Sequence, residues 1–251
     1  MMSRRIRVDF NNAAEWVPPG THQIANDHPD HRDDSDMKRL DREGCGALTI
    51  GHVPDPARFS ADHPEGEFVT DFTLIKRSGD DVYHIPEIFK NHMGAIMTIA
   101  EDQEARSKLS RLKYAFAMLH RRHVPAGQFH RNDNWHRDTM PGEIRRNYQC
   151  ADRVPCQIYL TSDVFPTVVQ TEPVADAAYL FRRDRAAEVA PHSRQLKPYE
   201  ITLMNDYVYH RGVIAEEPAM RNFLVVMYAS RKEVETLLGK KTGWRDMFKL
   251  T

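Results

Sequence analysis

The chain has 251 residues, 41% of them hydrophobic and 28% charged. That length suits one domain with embellishments, and that balance excludes wholesale disorder. Its 35 basic residues face 36 acidic ones for a net charge of -1, so no global field draws it to nucleic acid or to an anionic membrane. Cys45, Cys150 and Cys156 lack Cys-x-x-Cys spacing and read as reduced thiols of a cytoplasmic protein. No apolar run approaches the roughly 18 to 20 residues needed to span a bilayer. The basic start Met1-Met2-Ser3-Arg4-Arg5 leads into Val8-Asp9-Phe10-Asn11-Asn12, not into a hydrophobic signal core.

Residues 1–65 are polar and broken by Pro and Gly, and the His/Asp-rich run from His28 to Asp36 reads as a solvated loop. Glu67 to Lys76 reads as a strand, Ser78-Gly79-Asp80-Asp81 as a turn, and Val82 to Ile85 as the return strand. Pro86 opens a helix in which Ile88, Phe89, Met93, Ile96, Met97 and Ala100 recur at helical spacing. A second helical segment covers roughly 102–111, and two helices here could buttress a sheet.

From Lys113 the period changes to two. Tyr114, Phe116, Met118 and His120 fall on one face, Ala115, Ala117 and Leu119 on the other, up to the break at Pro125-Ala126-Gly127. Further strands are predicted at Cys156 to Thr161, Glu200 to Met204, Val208 to Ile214 and Phe223 to Ser230, with a bend at Phe165-Pro166-Thr167. An Ala-rich stretch at 176–190 suggests a helix, and a charged helix runs from Arg231 to Leu238. Strands joined by long connections favour a jelly roll over a βαβ sheet. The expectation is a single domain over 1–251, mainly β with flanking helices (α+β). It divides into a polar N-terminal segment with hairpin and helices (1–112), a β core (113–231), and a C-terminal helix and tail (232–251).

The chemistry is carried by Trp135-His136-Arg137-Asp138 and Tyr209-His210-Arg211-Gly212, followed by Arg221. On a strand, His136 and Asp138 point to one face. With His210 they make two imidazoles and a carboxylate, a set that suits Fe(II) with open coordination positions but also Zn or Mn. Arg221, at a predicted strand start, offers an always-charged planar guanidinium suited to a carboxylate.

These residues resemble the Fe(II)/2-oxoglutarate-dependent oxygenases, which share a double-stranded β-helix, a cupin-like jelly roll. The resemblance covers roughly 113–231. It implies His136, Asp138 and His210 as catalytic iron ligands, and Arg221 as partner of the distal carboxylate of 2-oxoglutarate. One common variant has Ser two residues after the Arg; here that position is Phe223, so Tyr148, Tyr159 and Thr161 become the candidate hydroxyl helpers. The related halogenases have Gly or Ala where this chain has Asp138, which argues against halogenation. The implied activity uses dioxygen and 2-oxoglutarate, releases succinate and CO2, and oxidises an unactivated C–H bond by hydroxylation, desaturation or ring closure.

Each residue also has a plainer reading. With 13 histidines in the chain, an isolated His-x-Asp is weak, and only the distal His and the spaced Arg reverse the odds. His120, His123 and His130 are a rival ligand set, and Arg231 is a rival carboxylate clamp. Arg145 and Arg146 could anchor an anionic substrate or simply be solvated. Trp135 could stack on substrate or pack beside the metal strand. Gln128 and its polar neighbours favour a small, polar, amino-acid-like substrate over a nucleic acid. A dealkylating oxygenase would want a basic groove with stacking aromatics. It would also want the Arg-x-Asn-x-x-x-Arg pattern that Arg221-Asn222-Phe223 does not continue. A non-catalytic cupin-like binding protein and a zinc hydrolase remain as competitors. The expected partner is a small-molecule substrate, with no membrane and no nucleic acid; a homodimer stays open.

Overall fold

The computed structural model describes residues 7–9, 47–70, 72–77, 79–80, 82–106, 113–130, 135–136, 157–172, 190–205 and 208–230. Among these, the long element is a strand pair. Strand β6 (Lys113–Val124) lies antiparallel to β12 (Ala219–Ser230) in unbroken register from Ala219↔Val124 to Ser230↔Lys113. Around it a seven-stranded sheet has the order β2-β10-β7-β12-β6-β3, with β4 also on β6. Its other members are β2 (Leu48–His52), β3 (Phe68–Val69), β4 (Thr73–Lys76), β7 (Gln157–Ser162) and β10 (Glu200–Asn205). A second sheet, in the order β11-β8-β9, contains β8 (Val168–Gln170), β9 (Ser193–Gln195) and β11 (His210–Arg211). A parallel pair joins β1 (Arg7–Asp9) to β5 (Val82–His84).

The alternation in the sequence decides which face each side chain takes. On one face of the large sheet, Ala115, Ala117, Leu119, Leu224, Val226 and Tyr228 pack with Ile96, Ile99 and Ala100. Those last three belong to α2 (Met93–Arg106), which follows a 3-10 turn over Glu87–His92. A short helix α1 (Pro56–Phe59), capped by Asp55 Oδ1 accepting from Arg58 N, adds Phe59 to the same layer. On the other face, Tyr114, Phe116, Met118, Phe223, Val225 and Met227 pack with Val169 of β8, Leu196 and Val208. Burying a large apolar side chain contributes about 1.5–3 kcal/mol, so both faces are driven to be covered. One cover is helical, the other is the small sheet. The architecture is therefore mainly β with few helices, two sheets back to back in the manner of a double-stranded β-helix. No helix among the described residues is long and apolar enough to cross a membrane.

Several expected elements differ. The single strand over 67–76 is two, β3 and β4, and the register on β6 shifts by a residue between Val69↔His120 and Thr73↔Ala117. Among the described residues Val82–His84 forms no ladder with β4; it pairs in parallel with β1. The two expected helices are one continuous helix to Arg106, and β11 is only two residues of the strand expected over 208–214. The N-terminal segment is more than a support, since β2, β3 and β4 join the large sheet. The helices expected at 176–190 and 231–238, the loop at 28–36 and the three cysteines lie outside the described residues, apart from Ala190 at the start of a 3-10 turn.

One polar cluster ties the sheets together at an edge. Glu200 of β10 accepts from Arg194 of β9, from Thr49 of β2 and from Lys197 N. Burial alone would raise the Glu200 pKa. The hydrogen bonds from Arg194, Thr49 and Lys197 N override it and hold the carboxyl at about 2, below its ordinary 4.5. A depressed pKa adds stability above about pH 4.5 that is lost as pH falls toward 2. Urea titrations of wild type and Glu200→Gln should therefore differ most near pH 7, with the gap closing as pH is lowered through 4. A pH-independent gap would remove the carboxylate from that role.

Candidate metal and carboxylate site

The two sequence-predicted histidines pair directly. His136 N donates to His210 O, and His210 N to His136 O, both at 2.9 Å. This isolated antiparallel bridge sets the imidazoles side by side, with centroids 4.3 Å apart and planes at 56°. Directly opposed residues of a bridge share a face, so the bridge brings together residues far apart in sequence. His210 is held from both sides: β11 pairs with β8 through His210↔Val169, and Gln170 N donates to Tyr209 O at 2.8 Å. The preceding segment is pinned by Gly127 N to Ala215 O at 2.8 Å and Ala215 N to Gln128 O at 2.9 Å.

His210 Nδ1 lies 3.3 Å from the Val208 carbonyl. A carbonyl only accepts, so Nδ1 carries the proton in this tautomer and the lone pair sits on Nε2. A metal-ligating histidine has this arrangement, with its second nitrogen tied to a backbone oxygen. The His210 ring therefore fits a transition metal, and the His136 ring stands beside it. Asp138, expected to complete the set, lies outside the described residues, and among the described residues no three His, Cys, Asp or Glu side chains converge as a metal site.

Arg221 lies two residues inside β12, not at its start, and is 4% exposed. It shares the face of Phe223 and Val225, toward the small sheet. Its Nε donates to Val164 O at 3.1 Å, and its guanidinium carbon stands 4.4 Å from the centre of the Phe223 ring. These contacts fix the plane of the guanidinium. It lines a cavity with His120, Arg122, Val124, His130 and Phe223. Arg122 is directly opposite Arg221 in the ladder. Like charges so placed repel, and an anion between them relieves that repulsion. Phe223 packs in the same core cluster as Val169, opposite His210, and Val208, and His130 lies on the short segment that leads to His136. The cationic cavity and the histidine pair thus share one face of the large sheet.

Two candidate helpers belong elsewhere. Tyr159 and Thr161 project to the helical face: Tyr159 packs with Leu224 and Ile99, and Thr161 pairs with Leu224. Tyr159 Oη lies 3.0 Å from both Asp102 Oδ2 and Gln103 Oε1. Burial first, then the Asp102 charge, push its pKa far up, so it remains a protonated donor to α2. Neither residue can assist Arg221 across the sheet. Tyr148, Arg145, Arg146 and Arg231 lie outside the described residues. Trp135 carries the Arg211 guanidinium 5.2 Å from its ring centre, so one face already has a packing partner, while Gln128 is exposed on the pinned segment.

Of the rival histidines, His120 and His130 line the Arg221 cavity, and His120 meets Phe223 edge-on at 6.0 Å. His123 is exposed with the opposite strand phase. The place of His120 and His130 in the cavity differs from that of rival metal ligands. Its only sequence signal was the phase of His120 with Phe116 and Met118.

No protein-family model matches the chain, and no curated protein sequence does. Among solved structures, EvdO2 from Micromonospora carbonacea var. aurantiaca complexed with 2-oxoglutarate aligns at 9% identity and TM-score 0.43, over 78% of this chain and 91% of its own. IDO from Bacillus thuringiensis aligns at 12% identity and TM-score 0.43, over 78% and 93%. HygX from Streptomyces hygroscopicus with nickel and 2-oxoglutarate bound aligns at 11% identity and TM-score 0.40, over 78% and 87%.

The histidine geometry makes a prediction that does not depend on turnover. Anaerobic Co(II) titration should give a saturable visible spectrum of a nitrogen-ligated ion. His210→Ala should abolish it while leaving the far-ultraviolet circular dichroism intact. An unchanged spectrum in that variant would place the metal elsewhere.

Proposed function

We propose that the chain is an Fe(II)- and 2-oxoglutarate-dependent dioxygenase acting on a small polar metabolite, an amino acid or derivative. It would hydroxylate, or otherwise oxidise, an unactivated C–H bond. The observation that carries this reading is the bridge between His136 and His210, with ring centroids 4.3 Å apart. Beside it stands the His136-x-Asp138 spacing, and on the same sheet face the buried Arg221.

His136, Asp138 and His210 would hold the iron, and the iron with 2-oxoglutarate and dioxygen would supply the oxidising chemistry. The chain's own residues bind and orient. Arg221 holds the distal carboxylate of 2-oxoglutarate, with Val164 O and the Phe223 ring setting the guanidinium plane. Arg122 adds positive charge around that carboxylate, and His120 and His130 add ring nitrogens. They take the place of the hydroxyl that the common variant uses. The apolar face of Phe223, Val225, Val169 and Val208 keeps water from the inner wall. Arg145 and Arg146, seven and eight residues past Asp138 in the sequence, are proposed to anchor a substrate anion. The protein is proposed to act in the cytoplasm.

The test is succinate release and product mass shift across a panel of amino acids and small acids, with Fe(II) and 2-oxoglutarate. A coupled product carrying one added oxygen, or lacking two hydrogens, supports the reading. Succinate release that no substrate stimulates, or none at all, counts against it. A buried carboxylate deprived of its cation costs about 3–5 kcal/mol. Arg221→Ala should therefore raise the KM for 2-oxoglutarate by roughly two orders of magnitude or more, with iron affinity little changed. Equal cosubstrate affinity in wild type and variant would remove Arg221 from the role.

A further inference from the structure

Asp163 follows β7 directly and is 4% exposed, yet its carboxylate accepts four hydrogen bonds. Oδ1 takes Val164 N and Asn222 N, each at 2.8 Å. Oδ2 takes Asn222 Nδ2 at 2.6 Å and Ser60 Oγ at 3.0 Å. The ladder between β7 and β12 runs out at Phe223↔Ser162, so Asp163 carries the attachment one step further, to the residue next to Arg221. The turn that it fixes presents the Val164 carbonyl, which receives Arg221 Nε at 3.1 Å. One carboxylate thus binds both the backbone amide adjoining Arg221 and the turn that orients its guanidinium.

The polarity of this arrangement is set from the other side. Asn222 Oδ1 accepts from Arg121 Nη1 at 3.1 Å. A guanidinium only donates, so the Asn222 amide is obliged to turn Nδ2 toward Asp163. Arg121 is itself held by Asp62 at 2.8 Å. Because strand side chains alternate, Asn222 and Arg121 lie on the helical face while Arg221 lies on the cavity face. The polar chain therefore sits directly behind the cationic wall, separated from it by the backbone of β12.

We propose that Asp163 and Asn222 are positioning residues that set the aim of Arg221 toward a bound carboxylate. The inference rests on the reading of Arg221 as the 2-oxoglutarate clamp. Asp163 touches no ligand; it acts through the Val164 carbonyl and the amide of residue 222. Asp163→Asn would leave an NH2 facing donors in either amide orientation, either the two backbone amides or Asn222 Nδ2. The pair Asp163→Asn/Asn222→Asp reverses the carboxylate and the amide. Its new carboxylate accepts from both Arg121 and the new amide, and the backbone bonds to residue 163 are kept.

The experiment is anaerobic calorimetric binding of 2-oxoglutarate to the Mn(II)-loaded full chain, with Mn(II) affinity and thermal melting measured in parallel. Misaiming one charge-assisted hydrogen bond should weaken 2-oxoglutarate binding about tenfold in Asp163→Asn, with Mn(II) affinity unchanged. The reversed pair should regain most of that affinity. Wild-type affinity in a destabilised Asp163→Asn would make the cluster merely structural and overturn the inference. So would a reversed pair that recovers its melting temperature without its affinity. If Asp163→Asn does not fold, Asn222→Ala decides in the same way: weakened binding supports the aim, wild-type binding overturns it. Wild-type protein that binds no 2-oxoglutarate would fail the underlying reading itself, a result distinct from loss confined to the position 163 and 222 variants.

Discussion

The β6–β12 ladder is the constraint on which everything else hangs. Its register is continuous from Ala219↔Val124 to Ser230↔Lys113, and a slip of one residue would exchange its two faces. In the observed register Leu224 and Val226 meet α2, while Phe223 and Val225 meet the small sheet. The same phase gives Arg221 and His120 to the cavity and Asn222 and Arg121 to the polar cluster behind it. Both faces are apolar in the middle of the ladder and charged at the end where β12 begins. The middle supplies the stability, and the charged end carries the residues proposed to meet the cosubstrate.

The histidine pair depends on a smaller and less cooperative element. β11 has two residues and β8 three, too few to be stable alone. They hold position because Val169 and Val208 are buried against Phe223 and because Arg194 and Glu200 fasten β9 to the large sheet. The His136–His210 bridge then adds the segment that carries His136. On the proposed reading, metal affinity and packing of the small sheet would be coupled, since a metal bound by both rings would favour the folded arrangement.

Much of this was legible in the chain because period two is plain where one face differs from the other. The run Tyr114 to Met118 alternates large residues with alanines, and the structure assigns those sets to different layers. β7 is the contrary case. All six of its residues are buried, so neither parity is marked as polar, and the phase that sends Tyr159 and Thr161 toward α2 could not be read. β8, β9 and β11 are shorter than the window in which a period can be recognised. The break between β3 and β4 was hidden because Phe68 to Ile75 is continuously strand-like; in the structure Thr70 leaves the strand to bond Leu119 through both its amide and its hydroxyl. The parallel pairing of β1 with β5 is long-range and has no local signature. At the site, His136, His210 and Arg221 stood out by residue type and spacing. His120 and His130 became meaningful only once the ladder set them beside Arg221.

The proposed function requires one iron where His136 and His210 pair. Anomalous scattering at the iron edge, from crystals grown anaerobically with Fe(II) and 2-oxoglutarate, tests it most directly. A single peak is expected within bonding distance of His136, His210 and Asp138, with the distal carboxylate of 2-oxoglutarate against Arg221. A peak bound instead by His120 and His130, or none near His210, would contradict it.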